Sequence, residues 1–202
     1  MFLTFNTVYD RLCKKEKVEN MKVYLMRHGQ TVWNEIGRAQ GRLHNRLSQT
    51  GKLQAEEASK RYKNVKIDVI YCSPLMRTIQ TANIMNKNHN VKIIKDDRLI
   101  ELDRGIFTGK LKKKFSPQEQ EQYAIHDESC GMETHKKLLV RTKDFVRNVI
   151  NQNKNKNILI VTHGEVAYCI ECLLSRKDLT DFIQNKSDPT PYQNAEVHQV
   201  EI

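Results

Sequence analysis

Three short motifs carry most of the reactive side chains: Arg27-His28-Gly29, Thr162-His163-Gly164, and Ser73-Pro74 with Arg77 shortly after it. Each follows an apolar run, Val23 to Met26, Ile158 to Val161 and Ile67 to Tyr71 respectively. A histidine placed directly after such a run and before a glycine sits where backbone or ligand can approach closely. In open parallel sheets, ligands bind outside the carboxyl ends of the strands, where loops and helix N-termini present unpaired backbone N–H groups. If the three runs are neighbouring strands, His28, His163, Arg27 and Arg77 converge at one end of the sheet. Such a cluster is cationic, partly built from helix N-termini, and suited to a phosphoryl group. A lone histidine is more often a hydrogen-bonded structural residue, and His44, His89, His126, His135 and His198 are read that way.

The elements that must hold these residues are legible in the same pattern. Short runs that are apolar throughout, each followed by helical spacing, predict an α/β fold with a mainly parallel central sheet. Ser73 is the expected N-cap and Pro74 the first residue of a helix running through Leu75, Ile79, Ala82 and Met85. Thr50 is expected to cap another helix that carries Leu53, Ala55, Ala58 and Tyr62, and a longer one spans about Glu133 to Asn151. The segment from Ala195 to Ile202 alternates as a terminal strand.

Composition narrows the class. The 202 residues, 39% hydrophobic and 29% charged, suffice for one globular domain and contain no run near the ~18 apolar residues of a membrane span. A formal charge of +10 favours anionic partners, but much of the excess is lysine mixed with asparagine, as in Asn151 to Asn157, which reads as a solvated loop. No helix-turn-helix, RNA-binding aromatic pair or zinc finger is present, so nucleic acid is not an expected partner. The five cysteines are odd in number and unpaired in rhythm, which predicts a reducing, cytoplasmic setting. Cys169 and Cys172, the one C-x-x-C, are expected to be core thiols. Residues 1–20 are expected to be a loosely ordered extension or a start-site artefact, with Met21 opening the domain that runs to residue 202.

Taken together, separated motifs resemble the histidine phosphatase superfamily in its phosphoglycerate-mutase-like branch. They are Arg27-His28-Gly29-Gln30-Thr31 with Trp33-Asn34; Gly37-Arg38-Ala39-Gln40-Gly41; Leu47-Ser48 with Thr50-Gly51; Ser73 to Thr78 with Gln80-Thr81-Ala82; Leu99, Glu101 and Gly105; Gly131 to Thr134; and Thr162-His163-Gly164. The resemblance implies a three-layer α/β/α fold and phosphomonoester hydrolysis through a phosphohistidine. In that scheme His28 is the nucleophile, Arg27 and Arg77 clamp the phosphoryl oxygens, and His163 stabilises the transferring group. Glu101 matches the proton donor, and Asn34, Gln40, Gly41 and Gly164 line the substrate. It implies a small phosphoester substrate, with no cofactor and no metal, and leaves the oligomeric state open, a homodimer included.

Departures from the family pattern favour hydrolysis over mutase action. Mutases usually carry Glu-Arg-His-Tyr-Gly where this chain has Glu101-Leu102-Asp103-Arg104-Gly105, and the long insertion of cofactor-dependent mutases is missing. A phosphoglycerate mutase, or a non-catalytic binding protein on the same fold, is the alternative. Arg42, His44 and Arg46, with Lys110 and Lys112 to Lys114, are the residues expected to select a second anionic group, if any do.

Overall fold

The computed structural model describes residues 21–180 and 192–201, so the expected extension over residues 1–20 lies outside the described residues. Five strands form one sheet: β1 (Lys22–Arg27), β2 (Val69–Cys72), β3 (Ile93–Lys95), β4 (Ile158–Thr162) and β5 (Val197–Glu201), in the order β3-β2-β4-β1-β5. All pairings are parallel except that of β5, which runs antiparallel to β1 along the edge. Helices α1 (Val32–Glu35), α2 (Gln49–Tyr62), α3 (Met76–Asn86), α4 (Pro117–Ala124), α5 (His135–Gln152) and α6 (Gly164–Leu174) complete the chain between them.

The strands have apolar residues on both faces because both faces are covered. Val23 and Leu25 of β1, Val69 and Tyr71 of β2, and Ile158 and Ile160 of β4 pack with Leu138, Phe145 and Val149 of α5 and with Ala167 and Ile170 of α6. The alternate residues Tyr24, Met26, Ile70, Cys72, Leu159 and Val161 pack with Ala58 of α2 and with Ala82 and Met85 of α3. Strand residues of opposite parity thus enter opposite cores, the signature of the expected three-layer α/β/α sandwich. A third, smaller cluster of Ala39, Phe107, Phe115, Cys130 and Met132 supports the long segment between β3 and α5.

Several element starts differ from the sequence reading, each for a local reason. The third helix begins at Met76 with Leu75 as an N-cap that makes no side-chain cap bond. Ser73 lies two residues before that N-cap; its hydroxyl accepts from the Leu75 N–H at 3.4 Å and faces His163 Nε2 at 2.9 Å, and its carbonyl accepts from the Thr78 hydroxyl at 2.9 Å. Ser48 rather than Thr50 caps α2, accepting from the Gly51 N–H at 3.1 Å, which places Thr50 inside the helix. The long helix starts at His135, capped by Thr134, and β2 begins at Val69 instead of Ile67. Strand β3 and helix α4 went unpredicted: β3 has only three residues, and α4 is a polar helix set by a Ser116–Glu119 capping box with Pro117 in its first turn.

Candidate active site

Parallel register delivers the reactive residues to one level. Arg27 lies opposite Thr162 on β4, and Cys72 of β2 lies opposite Val161. One residue further along each strand, the His28 N–H donates to the Thr162 carbonyl at 3.0 Å and the Ser73 N–H to the Val161 carbonyl at 3.1 Å. His28, Ser73 and His163 therefore leave the sheet side by side, and the His28 and His163 rings meet edge to face with centroids 5.3 Å apart. The loop after β1 also crosses the start of α2 in close contact. A Cβ on Gly29 would meet the Gly51 carbonyl oxygen at 2.4 Å, and one on Gly51 would meet that of Gln30 at 1.9 Å, so the crossing requires glycine at both positions.

His28 is 2% exposed and held by both ring nitrogens. Nδ1 lies 2.7 Å from the Gly29 carbonyl, to which it donates, and Nε2 accepts from Arg77 Nε at 3.2 Å. That pairing fixes a neutral ring whose Nε2 lone pair faces a guanidinium. Burial, then the charges of Arg77 and Arg27, hold the imidazole well below its ordinary 6.5. His163 is fully buried at the N-cap of α6 and is held low by burial and then by Arg77 and His28.

Arg77, in the first turn of α3, is completely buried and splays its other nitrogens onto two carbonyls, Leu43 from Nη1 and Gly41 from Nη2, both at 2.9 Å. Burial pulls it down to about 10, so it is still a cation at neutral pH. Arg27 donates from Nη1 to the Tyr192 carbonyl at 2.7 Å, and its Nε is buried without a protein partner. His163 Nδ1 likewise has no hydrogen-bond partner and lies 3.8 Å from Glu101 Oε2. Buried donors left open beside a lone pair are what an anion-receiving site looks like before it is filled.

Glu101 enters from the loop after β3. Its Oε1 accepts from the Leu102 N–H at 2.9 Å, while burial raises the carboxyl above its usual 4.5 against the opposing pull of Arg104. A carboxyl raised by burial keeps its proton to higher pH than a free one, as a proton donor must. The structure thus brings together His28, Arg27, Arg77, Glu101 and His163, with Gly41 on Arg77 and Gly164 as the first residue of α6. Asn34 and Gln40 lie one layer out, where Asn34 Oδ1 and Gln40 Oε1 each sit 3.0 Å from the Thr31 hydroxyl.

Sequence reasoning missed the polar residues behind Glu101. Arg104 and Glu165 are buried and ion-paired with one another, with His126 and His135 packed around them. His126, His135 and Glu165 are the described residues that group donor atoms as metal ligands would, but Arg104 already bonds both Glu165 and His126 and supplies the cation they hold. The signal available was weak: a charged residue directly after His163-Gly164, where a buried helix start is expected. Of the basic residues expected to select a second anion, Arg42 is engaged by Glu133 at 3.1 Å and Asp103 at 3.7 Å, and Lys110 by Glu119 at 3.0 Å. Lys112 to Lys114 are exposed on a short 3₁₀ turn.

The chain is similar to known proteins over most of its length. Over 178 residues the chain is 32% identical to phosphoserine phosphatase 1 of Hydrogenobacter thermophilus, covering 85% of this chain and 84% of that protein. It is 32% identical over 156 residues to a Photorhabdus laumondii protein named "Probable phosphoglycerate mutase GpmB", covering 74% and 73%. The solved structure of Bacillus stearothermophilus YhfR superposes with a TM-score of 0.78 at 25% identity, over 90% of this chain and 91% of that one. The family model of the histidine phosphatase superfamily (branch 1) matches residues 23–202, nearly the whole chain, and the protein belongs to that family.

Proposed function

We propose that this protein hydrolyses small phosphomonoesters in the cytoplasm through a phosphohistidine on His28. The observation that carries the reading is the His28 ring itself: Nδ1 committed to the Gly29 carbonyl at 2.7 Å, and Nε2 unprotonated among two arginines and a second histidine. In the first step Nε2 attacks phosphorus in line, the P–N bond forms, and the P–O bond to the leaving group breaks. Arg27, Arg77 and His163 carry the charge on the phosphoryl oxygens, which is the main demand of a loose phosphoryl-transfer transition state. Glu101 gives its proton to the leaving oxygen. In the second step the Glu101 carboxylate takes a proton from water, water attacks phosphorus, and the P–N bond breaks to release phosphate. Asn34, Gln40, Gly41 and Gly164 shape the rim and the phosphate end of the pocket.

Hydrolysis is favoured over phosphate shuttling by the residue after Glu101. Leu102 is fully buried in the apolar core, so the position where mutases carry arginine offers nothing to a second phosphate. Free, buried Cys72, Cys130, Cys169 and Cys172 support a reducing compartment, and no described helix is long and apolar enough to cross a membrane. The test is phosphate release from 4-nitrophenyl phosphate and a metabolite panel that includes phosphoserine and phosphoglycerate, in EDTA, with His28→Ala alongside. Chelator-resistant hydrolysis that vanishes in the variant supports the reading. Isomerisation of phosphoglycerate without release, or turnover by His28→Ala, overturns it.

A further inference from the structure

Two charged residues that the chemistry above does not use lie against its acid. Arg104 follows Glu101 by three residues and Glu165 follows His163 by two, so both side chains arise beside the Glu101–His163 pair. They are buried and form an ion pair with each other. Arg104 also donates from Nη1 to His126 Nε2 at 3.3 Å and lies over the Tyr123 ring at 5.1 Å. The second oxygen of Glu165 meets His135 Nε2 at 2.7 Å, with His126 Nε2 3.5 Å away. His126 reaches this place from a left-handed backbone conformation, φ 53°, with Nδ1 donating to the Glu133 carbonyl at 3.1 Å. A non-glycine residue in that region costs free energy, and such strain concentrates where a site needs a side chain aimed.

The acid itself is surrounded by arginines, yet none of them bonds its carboxylate. Facing Glu101 are Arg104 of its own loop, Arg77 of α3, Arg27 at the end of β1, and His163 and Glu165 of α6. Arg42 approaches only the backbone carbonyl of Glu101, at 3.2 Å. Among the described residues no arginine or lysine forms an ion pair with the Glu101 carboxylate. Of the surrounding cations Arg104 acts on it most strongly, and Arg104 is the one that another carboxylate has taken.

We propose that Glu165 is a positioning residue that holds the Arg104 guanidinium off Glu101, leaving the Glu101 carboxyl free to carry a proton to the leaving oxygen. Without Glu165, Arg104 turns to Glu101 and locks it as a carboxylate, which can still accept a proton from water but has none to give. The inference rests on the reading of Glu101 as the acid.

The experiment compares phenyl phosphate with 4-nitrophenyl phosphate, alike in shape but different in the need for a proton, because 4-nitrophenolate leaves unaided. In Glu165→Ala, kcat for phenyl phosphate should fall about 10²-fold, the low end of what a general acid supplies, while 4-nitrophenyl phosphate changes less than about threefold. Adding Arg104→Met to that variant should restore phenyl phosphate turnover to within about threefold of the wild type, which no purely structural role of Glu165 predicts. If Glu165→Ala fails to fold by its thermal transition, Glu165→Gln serves, with a loss of about tenfold for phenyl phosphate alone, because the neutral amide holds Arg104 less firmly. Equal losses for both substrates, no loss, or no recovery in the double variant overturns the proposal. Glu101→Ala separates the two layers. Read by kcat/KM, which stops at phosphohistidine formation and so leaves out the base role of Glu101 in the second step, a leaving-group-dependent loss there with none in Glu165→Ala removes only the positioning role, whereas equal losses for both substrates in Glu101→Ala remove the acid and the proposal with it.

Discussion

Mild acid should destabilise the fold well before its carboxylates titrate. His28, His163 and His126 are all held neutral below the ordinary 6.5, chiefly by burial, His126 down to about 4. As pH falls through 6.5 the unfolded chain takes up protons on these rings and the folded chain does not, so stability is fully present above 6.5 and lost below it. Each such ring costs up to ~1.4 kcal/mol per pH unit. Glu101 has the opposite sign, because its raised carboxyl holds a proton in the fold at a pH where the unfolded chain has lost it. His89, also lowered by burial, adds to the side of the rings, so several rings against one carboxyl leave a net loss of stability as pH falls from 6.5 to 5. The window lies above the ordinary range of carboxylates, so the histidines dominate it. Below it Glu165, held low despite its burial mainly by Arg104, adds a second loss as pH falls toward its folded value. Urea titrations at pH 7, 6 and 5 measure the effect directly through the midpoint at constant slope. His126→Gln should remove roughly 1–2 kcal/mol of the acid loss, the share of one ring. Stability that is flat or rises from pH 6.5 to 5 refutes the burial argument for these rings, and with it the neutral His28 on which the proposed reaction depends.

Arg77→Lys should lower kcat/KM by about 10²-fold or more, since one ammonium cannot serve His28, Gly41 and Leu43 as the guanidinium does; steady-state kinetics that change less than about threefold would mean that the fork is dispensable. Gly51→Ala places a Cβ 1.9 Å from the Gln30 oxygen and should cost more than about 2 kcal/mol in a denaturant titration. Thr134→Ala removes the side-chain cap of α5 and should cost about 1 kcal/mol while leaving turnover intact.

The sheet and the reactive end of it were legible in the sequence because both obey local rules. Runs apolar at every position can only be strands covered on both faces or buried helices, and their shortness decided the matter for β1, β2 and β4. Once those strands were parallel neighbours, His28 and His163 had to emerge together, which is why two histidines could be separated from the others without any view of the fold. What stayed hidden depends on contacts between distant segments. Strand β3 is too short to show a period, and nothing near Arg104 announces that its partner lies in α6.

The places where a good local reading failed are themselves informative. Ser73 has every local qualification to cap α3, yet the helix starts two residues later behind an uncapped Leu75, and the Ser73 hydroxyl, with only a 3.4 Å bond from the Leu75 N–H, faces His163 at 2.9 Å. His126 adopts a strained backbone that turns avoid in bulky residues, and its ring is thereby aimed at Arg104. Arg104 and Glu165 bury opposite charges where apolar residues of similar size would cost less to desolvate. Ser73 meets His163 directly, and Arg104 and Glu165, around which His126 packs, act electrostatically on Glu101. A sequence selected for stability alone would keep the cap, relax the backbone and fill the core, so the coincidence of these departures in one region argues that the polar residues behind Glu101 serve the candidate site and not the fold.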